Sequence, residues 1–157
     1  MKNKRSLGIF GILVGILFAI GILLPWFKES VFFFGSIHFY PLWASGGYNL
    51  QKVKFSYLSY ISGGILLIAS IMAICSGVYM TAKNRGRASN GLMLMSAILD
   101  ILSVVIYVIF ITKISPDTNG NYFYGSGSIY NYGIEVVFYL EVGLSTALLI
   151  VSSIFMI

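Results

Sequence analysis

Two carboxyl groups stand where carboxyls are costly. Asp100 falls about nine residues into an otherwise uncharged run at 91–112, roughly 13 Å along a helix rising 1.5 Å per residue. Glu141 falls about seven residues into an apolar run at 134–157. A charged carboxyl facing lipid near the bilayer centre costs about 2.5 kcal/mol or more, so both side chains should face protein. Helical spacing puts Ser96, Ser103 and Tyr107 on the face of Asp100, and Ser145 and Ser152 on that of Glu141. If the two runs are antiparallel neighbours, Glu141 comes near the level of Ser103, about one turn from Asp100. Such a pair could relay protons or hold a cation. It could equally be a buried, protonated, hydrogen-bonded pair that fixes helix register. No Lys, Arg or His accompanies it within the runs and no interior proline breaks a helix, which favours the structural role over a carrier.

The remaining reactive residues are sparse. His38 is the single histidine, and one histidine without cysteines or clustered carboxylates makes neither a metal site of ordinary ligand number nor a haem site. Cys75, the single cysteine, allows no internal disulfide and reads as a small packing residue within the second apolar run. Neither a nucleophile–base pair nor a phosphate-binding glycine loop appears, so neither catalysis nor a cofactor is expected. The basic turn Lys83-Asn84-Arg85-Gly86-Arg87 suits anionic lipid head groups and is too short for nucleic acid.

The elements that must position these residues follow from composition. Hydrophobic residues make up 58% and charged residues 10%, against about 25% charged in a soluble domain, and the mean hydropathy is +0.90. Four runs, at about 7–26, 57–80, 91–112 and 134–157, are each near the 20 residues that cross a bilayer core of about 30 Å. The first is too long for the core of a secretion signal, and the bulky Pro25-Trp26-Phe27 follows where small residues should mark a cut. The expected fold is therefore all-α and integral to the membrane. A single domain over 1–157 forms a four-helix transmembrane bundle with outer loops at 27–56 and 113–133.

Small residues recur on two of the helices. Gly11 and Gly15 on the first, and Ala69, Ala73 and Gly77 on the second, have the spacing that lets helix backbones approach closely. Packing within the chain is the economical reading, with self-association the other. The loops carry strand chemistry, with β-branched and aromatic residues broken by Gly-Ser and Asn-Gly turns. Strands are expected at 30–34, 37–40 and 51–56 and in one or both arms of 122–132, with turns at Gly35-Ser36 and at Ala44-Ser45-Gly46-Gly47. Together they predict a small extracellular sheet drawn from both loops. Lys2, Lys4, Arg5, Lys83, Arg85 and Arg87 fall on one side, against Lys28, Lys52, Lys54 and Lys113 on the other, which predicts both termini in the cytoplasm.

Four spans with inner termini, a long strand-rich first outer loop, a short inner turn and a shorter second outer loop resemble the claudin and peripheral myelin protein superfamily. That family carries a Trp just after span one and a Gly-Leu-Trp in the first loop. Here Trp26 follows span one and Pro41-Leu42-Trp43 stands at the second place, while the family's two loop cysteines are absent. The resemblance implies lateral association and adhesion without catalysis.

The chain is accordingly expected in the cell membrane, among membrane lipids. Its work would be assembly, through self-association or other membrane or surface proteins, using aromatic outer-loop residues such as Phe33, Leu42, Trp43 and Tyr124. Trp43 is expected to be presented from a constrained corner, and Trp26 to anchor at the membrane interface. Two other readings stand beside this one: an accessory subunit of a larger respiratory or transport complex, and a proton-coupled carrier or channel using Asp100 and Glu141.

Overall fold

Four helices and, among the described residues, five strands build the molecule, for which a computed structural model describes residues 2–31, 35–46, 57–83, 86–114, 124–126 and 130–154. The helices are α1 (Lys2–Ile22), α2 (Tyr57–Lys83), α3 (Gly86–Ile114) and α4 (Val136–Ile154). The strands are β1 (Phe27–Val31), β2 (Gly35–Phe39), β3 (Ala44–Gly46), β4 (Tyr124–Ser126) and β5 (Tyr130–Ile134). All four helices are long and apolar enough to cross a membrane. Their burial is inverted relative to a water-soluble bundle. Leu13, Ile71, Ile98 and Leu140 are exposed, while Ser62, Ser96, Asp100, Ser103 and Glu141 are buried. Apolar side chains gain nothing by leaving lipid, so the interior is free to hold groups that need hydrogen-bond partners.

The buried positions step alternately by three and four. In α2 the run is Ser59, Ser62, Leu66, Ala69, Ala73, Ser76 and Met80, with Ser70 buried beside it; in α3 it is Ser89, Met93, Ser96, Asp100, Ser103, Tyr107 and Phe110, with Asn90, Ala97 and Ile111 buried beside it. Phe138, Glu141, Ser145, Leu148 and Ser152 continue the pattern in α4. A repeat of 3.5 residues is shorter than the helical turn of 3.6 and is the period of left-handed supercoiling. Within this seam α2 and α3 are joined at three levels. The Ser62 hydroxyl donates to the Ser103 carbonyl at 3.0 Å, and the Ser103 hydroxyl returns the bond to the Ser62 carbonyl at 2.8 Å. Seven residues on, Ser96 donates to the Ala69 carbonyl at 2.6 Å, and a further seven on Ser76 donates to the Ser89 carbonyl.

Helix α1 is held to α2 by close backbone approach. A Cβ at Gly8 would lie 2.8 Å from the Gly77 carbonyl oxygen, and one at Gly15 would lie 2.9 Å from the Ser70 carbonyl oxygen. The Ser70 hydroxyl in turn donates to the Gly15 carbonyl at 2.8 Å. Gly11 faces the Met93 thioether of α3 and the Ala73 carbonyl, and Ala69 and Ala73 are fully buried. The small-residue faces are thus occupied within the chain. Helix α4 packs on α3 and touches α1, which closes the ring.

One antiparallel sheet, ordered β3-β2-β1-β5-β4, draws strands from both long connections. Central β1 pairs Phe27 with Phe39 of β2 on one side and with Ile134 of β5 on the other. The bundle grips this sheet by its backbone. The amide of Trp26 donates to the Phe39 carbonyl and the amide of Glu135 to the Trp26 carbonyl, both at 2.9 Å. The Tyr107 hydroxyl of α3 also reaches the Phe39 carbonyl, at 2.9 Å.

Several boundaries differ from the sequence expectation. Helix α1 stops at Ile22, short of 26, because Pro25 lacks an amide donor and disfavours helix before it. The chain closes with three-residue turns from Leu23 to Ile20 and from Leu24 to Gly21. The first strand begins at Phe27, three residues before the expected 30. Gly35-Ser36 opens β2 in place of a turn, with Gly35 at φ +91°, a conformation glycine adopts without strain. Ala44-Ser45-Gly46 pairs with Ile37–Phe39 as strand β3, although its small residues read as a turn, because the Pro41 bend brings it alongside β2. The expected strand at 51–56 and the candidate Phe33 lie outside the described residues, and Tyr124 is placed in β4. Helix α4 starts at Val136, since β5 carries the strand through Ile134. Cys75 faces outward from α2 and packs against no core.

Two predictions follow from this packing. Gly15→Val should cost about 1–3 kcal/mol by forcing α1 off α2, while Gly64→Ala and Gly143→Ala, with no atoms within 4 Å, should change little. Reversible unfolding in detergent measures both. Glu29 sits on the covered face of β1, between Ile37 and Tyr132, and burial raises its carboxyl above the usual value of 4.5. The native state then binds this proton more tightly than the unfolded chain. The stabilisation present below the unfolded value is lost as pH rises through the raised native value. Glu29→Gln should therefore flatten the fall in melting temperature from acid to neutral pH.

Candidate functional site

The site is built where the bundle meets the sheet. Trp26 follows Pro25 and swings back over the end of α1, where its indole Nε1–H donates to the Gly21 carbonyl at 3.0 Å. It is 0% exposed, packed edge-on against Tyr107 at 4.8 Å and Phe138 at 5.6 Å. Phe27, Phe39 and Phe110 extend this layer, with Phe39 and Phe110 at 6.2 Å and Tyr107 and Phe110 at 5.4 Å. The expectation that Trp26 anchors at the membrane interface is thus corrected: it is the largest fully buried side chain. Its position after a span suggested an anchor, since Trp is common at interfaces; only the facing helices α3 and α4 turn that position into core.

Beneath the aromatic layer lie the two carboxyls. Asp100 on α3 is 0% exposed and Glu141 on α4 is 2% exposed, and each occupies a core position of its helix. Glu141 rests against Gly21 of α1, where any side chain would overlap its carboxyl. Ser145, one turn along from Glu141, sits beside Asp100, and the two carboxyls lie within electrostatic reach of each other. Both oxygens of Asp100 and Oε2 of Glu141 are buried without a hydrogen-bond partner among the described residues.

The surrounding donors are committed elsewhere. Ser145 donates to the carbonyls of Glu141 at 2.9 Å and Val142 at 3.1 Å within its own helix. Ser62 and Ser103 serve each other's carbonyls, Ser96 serves Ala69, Tyr107 serves Phe39, and Trp26 serves Gly21. The polar stripe expected around Asp100 is therefore present as a buried face, but its own hydroxyls hold helices together and leave Ser145 of α4 as the hydroxyl beside the carboxyl. Helical periodicity could place these residues on one face; it could not show where each hydroxyl turns.

The corner at 41–43 is also more embedded than its sequence suggested. Leu42 fills the notch left by Gly63 of α2, and the Ser59 hydroxyl donates to the Pro41 carbonyl at 3.0 Å. Trp43 is half-buried and stacked on Tyr40 at 4.8 Å with rings 17° apart. Its carbonyl accepts from the Tyr40 amide at 2.8 Å, which closes the bend. His38 is half-buried in β2, paired with Lys28 and Ser45 of the flanking strands. Among the described residues no group of three His, Cys, Asp or Glu could hold a metal ion.

Removing the buried indole should be costly. Trp26→Ala is expected to lose about 3–5 kcal/mol, and Trp26→Phe about 1 kcal/mol for the indole hydrogen bond. Trp43→Ala should lose clearly less than Trp26→Ala, since Trp43 is only partly buried. Unfolding of the three variants in one detergent compares them directly.

Compared with known proteins, the chain matches no family model and no curated protein.

Proposed function

We propose that this chain is a non-catalytic assembly protein of the cell membrane, with both termini in the cytoplasm and the sheet outside. It associates laterally or with surface partners through the sheet end. The observation that carries this reading is the joining of both long connections into one sheet whose Phe39 carbonyl accepts from the Trp26 amide and from the Tyr107 hydroxyl of α3. A platform so fixed loses little conformational entropy on binding, which suits recognition. The positive bias of the termini and the short turn supports the orientation. A sheet shared by two outer loops is also what the likeness to the claudin and peripheral myelin protein superfamily implies.

The recognition chemistry differs from a purely aromatic surface. Phe27, Phe39 and Tyr132 are buried toward the bundle. Alternation along β1 and β2 then turns Lys28, Ser30, Ser36 and His38 to the other face. Beside this polar face the Tyr40–Trp43 stack is half open, at the entrance to β3, which is an edge strand among the described residues. A polar face bordered by one aromatic pair has the composition of an interface rim around an anchor.

Trp43→Ala tests the proposal through the native mass of the detergent-extracted protein. The expected outcome is a folded monomer that no longer assembles. An interface anchor contributes about 2 kcal/mol or more, near 30-fold in affinity. An intact complex built from a destabilised monomer would show instead that the stack serves only the fold.

A further inference from the structure

The buried carboxyls are independent of the sheet's outer face, and no feature of an assembly platform requires them. We propose that Asp100 and Glu141 together form an occluded proton-binding site, exchanging its proton through the end of the bundle opposite the sheet. The inference rests on hydrogen-bond accounting. An ionised carboxylate is only an acceptor, and these two groups carry three buried oxygens without a donor among the described residues. Trp26, Tyr107, Ser62 and Ser103 all donate to backbone carbonyls, and Ser145, the hydroxyl beside Asp100, is shared with the Glu141 and Val142 carbonyls of its own helix.

Among the described residues no salt bridge joins a cation to either carboxyl. From α1 the pair meets Gly21, and α2 presents Leu66 between the levels of Ser62 and Ala69, while Tyr107 lies two turns from Asp100 along α3. Arg5 and Lys113 are exposed near the ends of their helices. A proton on either carboxyl turns an orphan acceptor into a donor and removes the repulsion between the two groups. A metal ion fits less well. Calcium and magnesium take about six or more oxygens, and among the described residues no third His, Cys, Asp or Glu joins the pair.

The route follows from what lies above and below. Toward the sheet, Trp26, Tyr107, Phe138, Phe39 and Phe110 pack ring against ring. In the other direction the buried side chains are Phe18 of α1, Ser96, Ala97 and Met93 of α3 and Leu148 of α4, before a second buried polar group is reached. There Asn90 donates to the Ser152 carbonyl at 2.8 Å, and its Oδ1 has no partner among the described residues. Met93 is unbranched and flexible, so this layer is the one that yields.

Infrared difference spectroscopy of the whole protein in lipid vesicles tests the site. At neutral pH the wild type should show a protonated-carboxyl band that Asp100→Asn and Glu141→Gln each diminish and the double variant abolishes. Replacing sodium with potassium should leave it unchanged. The band should shift on transfer to D2O, and faster in Leu148→Ala, which thins the packing on this route. Ionised carboxylate bands at neutral pH that respond to sodium would overturn the proposal in favour of a metal cation. A band that never shifts in D2O would reduce the pair to a fixed structural element, and an unaltered rate in Leu148→Ala would refute the route. Asp100→Asn preserves volume and hydrogen-bonding capacity, so the assignment stands even if a more severe variant fails to fold.

Discussion

Apolar side chains gain no free energy by moving from lipid to a protein interior, so helices that can cross a membrane need another reason to pack. In this chain the reason is contact between backbones. Serine hydroxyls on α2 and α3 reach the carbonyls of the facing helix every seven residues, and Gly8, Gly15 and Gly77 let α1 lie directly on α2. Both devices need small residues at core positions, and a larger side chain at either would separate the helices. The inverted burial, with serines inside and leucines outside, is the consequence.

The same constraint decides where the carboxyls go. Once the seam between α2 and α3 is taken up by serines, Asp100 faces the remaining space at the bundle axis, next to α4. Glu141 reaches that space from the other side because Gly21 leaves room for it. The same close packing leaves few spare donors. A tightly bonded seam and an unserved carboxyl pair therefore arise from one arrangement.

Trp26 links this interior to the sheet. Its indole is the roof of the carboxyl compartment, while its backbone amide and carbonyl bond to β2 and to the residue entering α4. One residue thereby couples the end of α1, the first hairpin and the start of α4. The sheet is held to the bundle by Trp26, by Tyr107 of α3 and by the aromatic layer.

Much of this was legible in the sequence: four apolar runs, strand-forming loops, and Asp100 and Glu141 on inward faces at adjoining levels. Those features follow from local composition and from helical periodicity, which one chain segment determines by itself. The boundary at Ile22 was legible too, in Pro25, but hydropathy alone ran past it. The pairing of Ala44–Gly46 as a strand, the burial of Trp26, the seating of Leu42 over Gly63 and the commitment of every nearby hydroxyl were decided by the tertiary structure. Each depends on which atoms a second segment brings within about 3 Å, and hydrogen bonds and steric contacts act only over that range. Sequence spacing could therefore set the level and face of a side chain, while its partner was chosen by the fold.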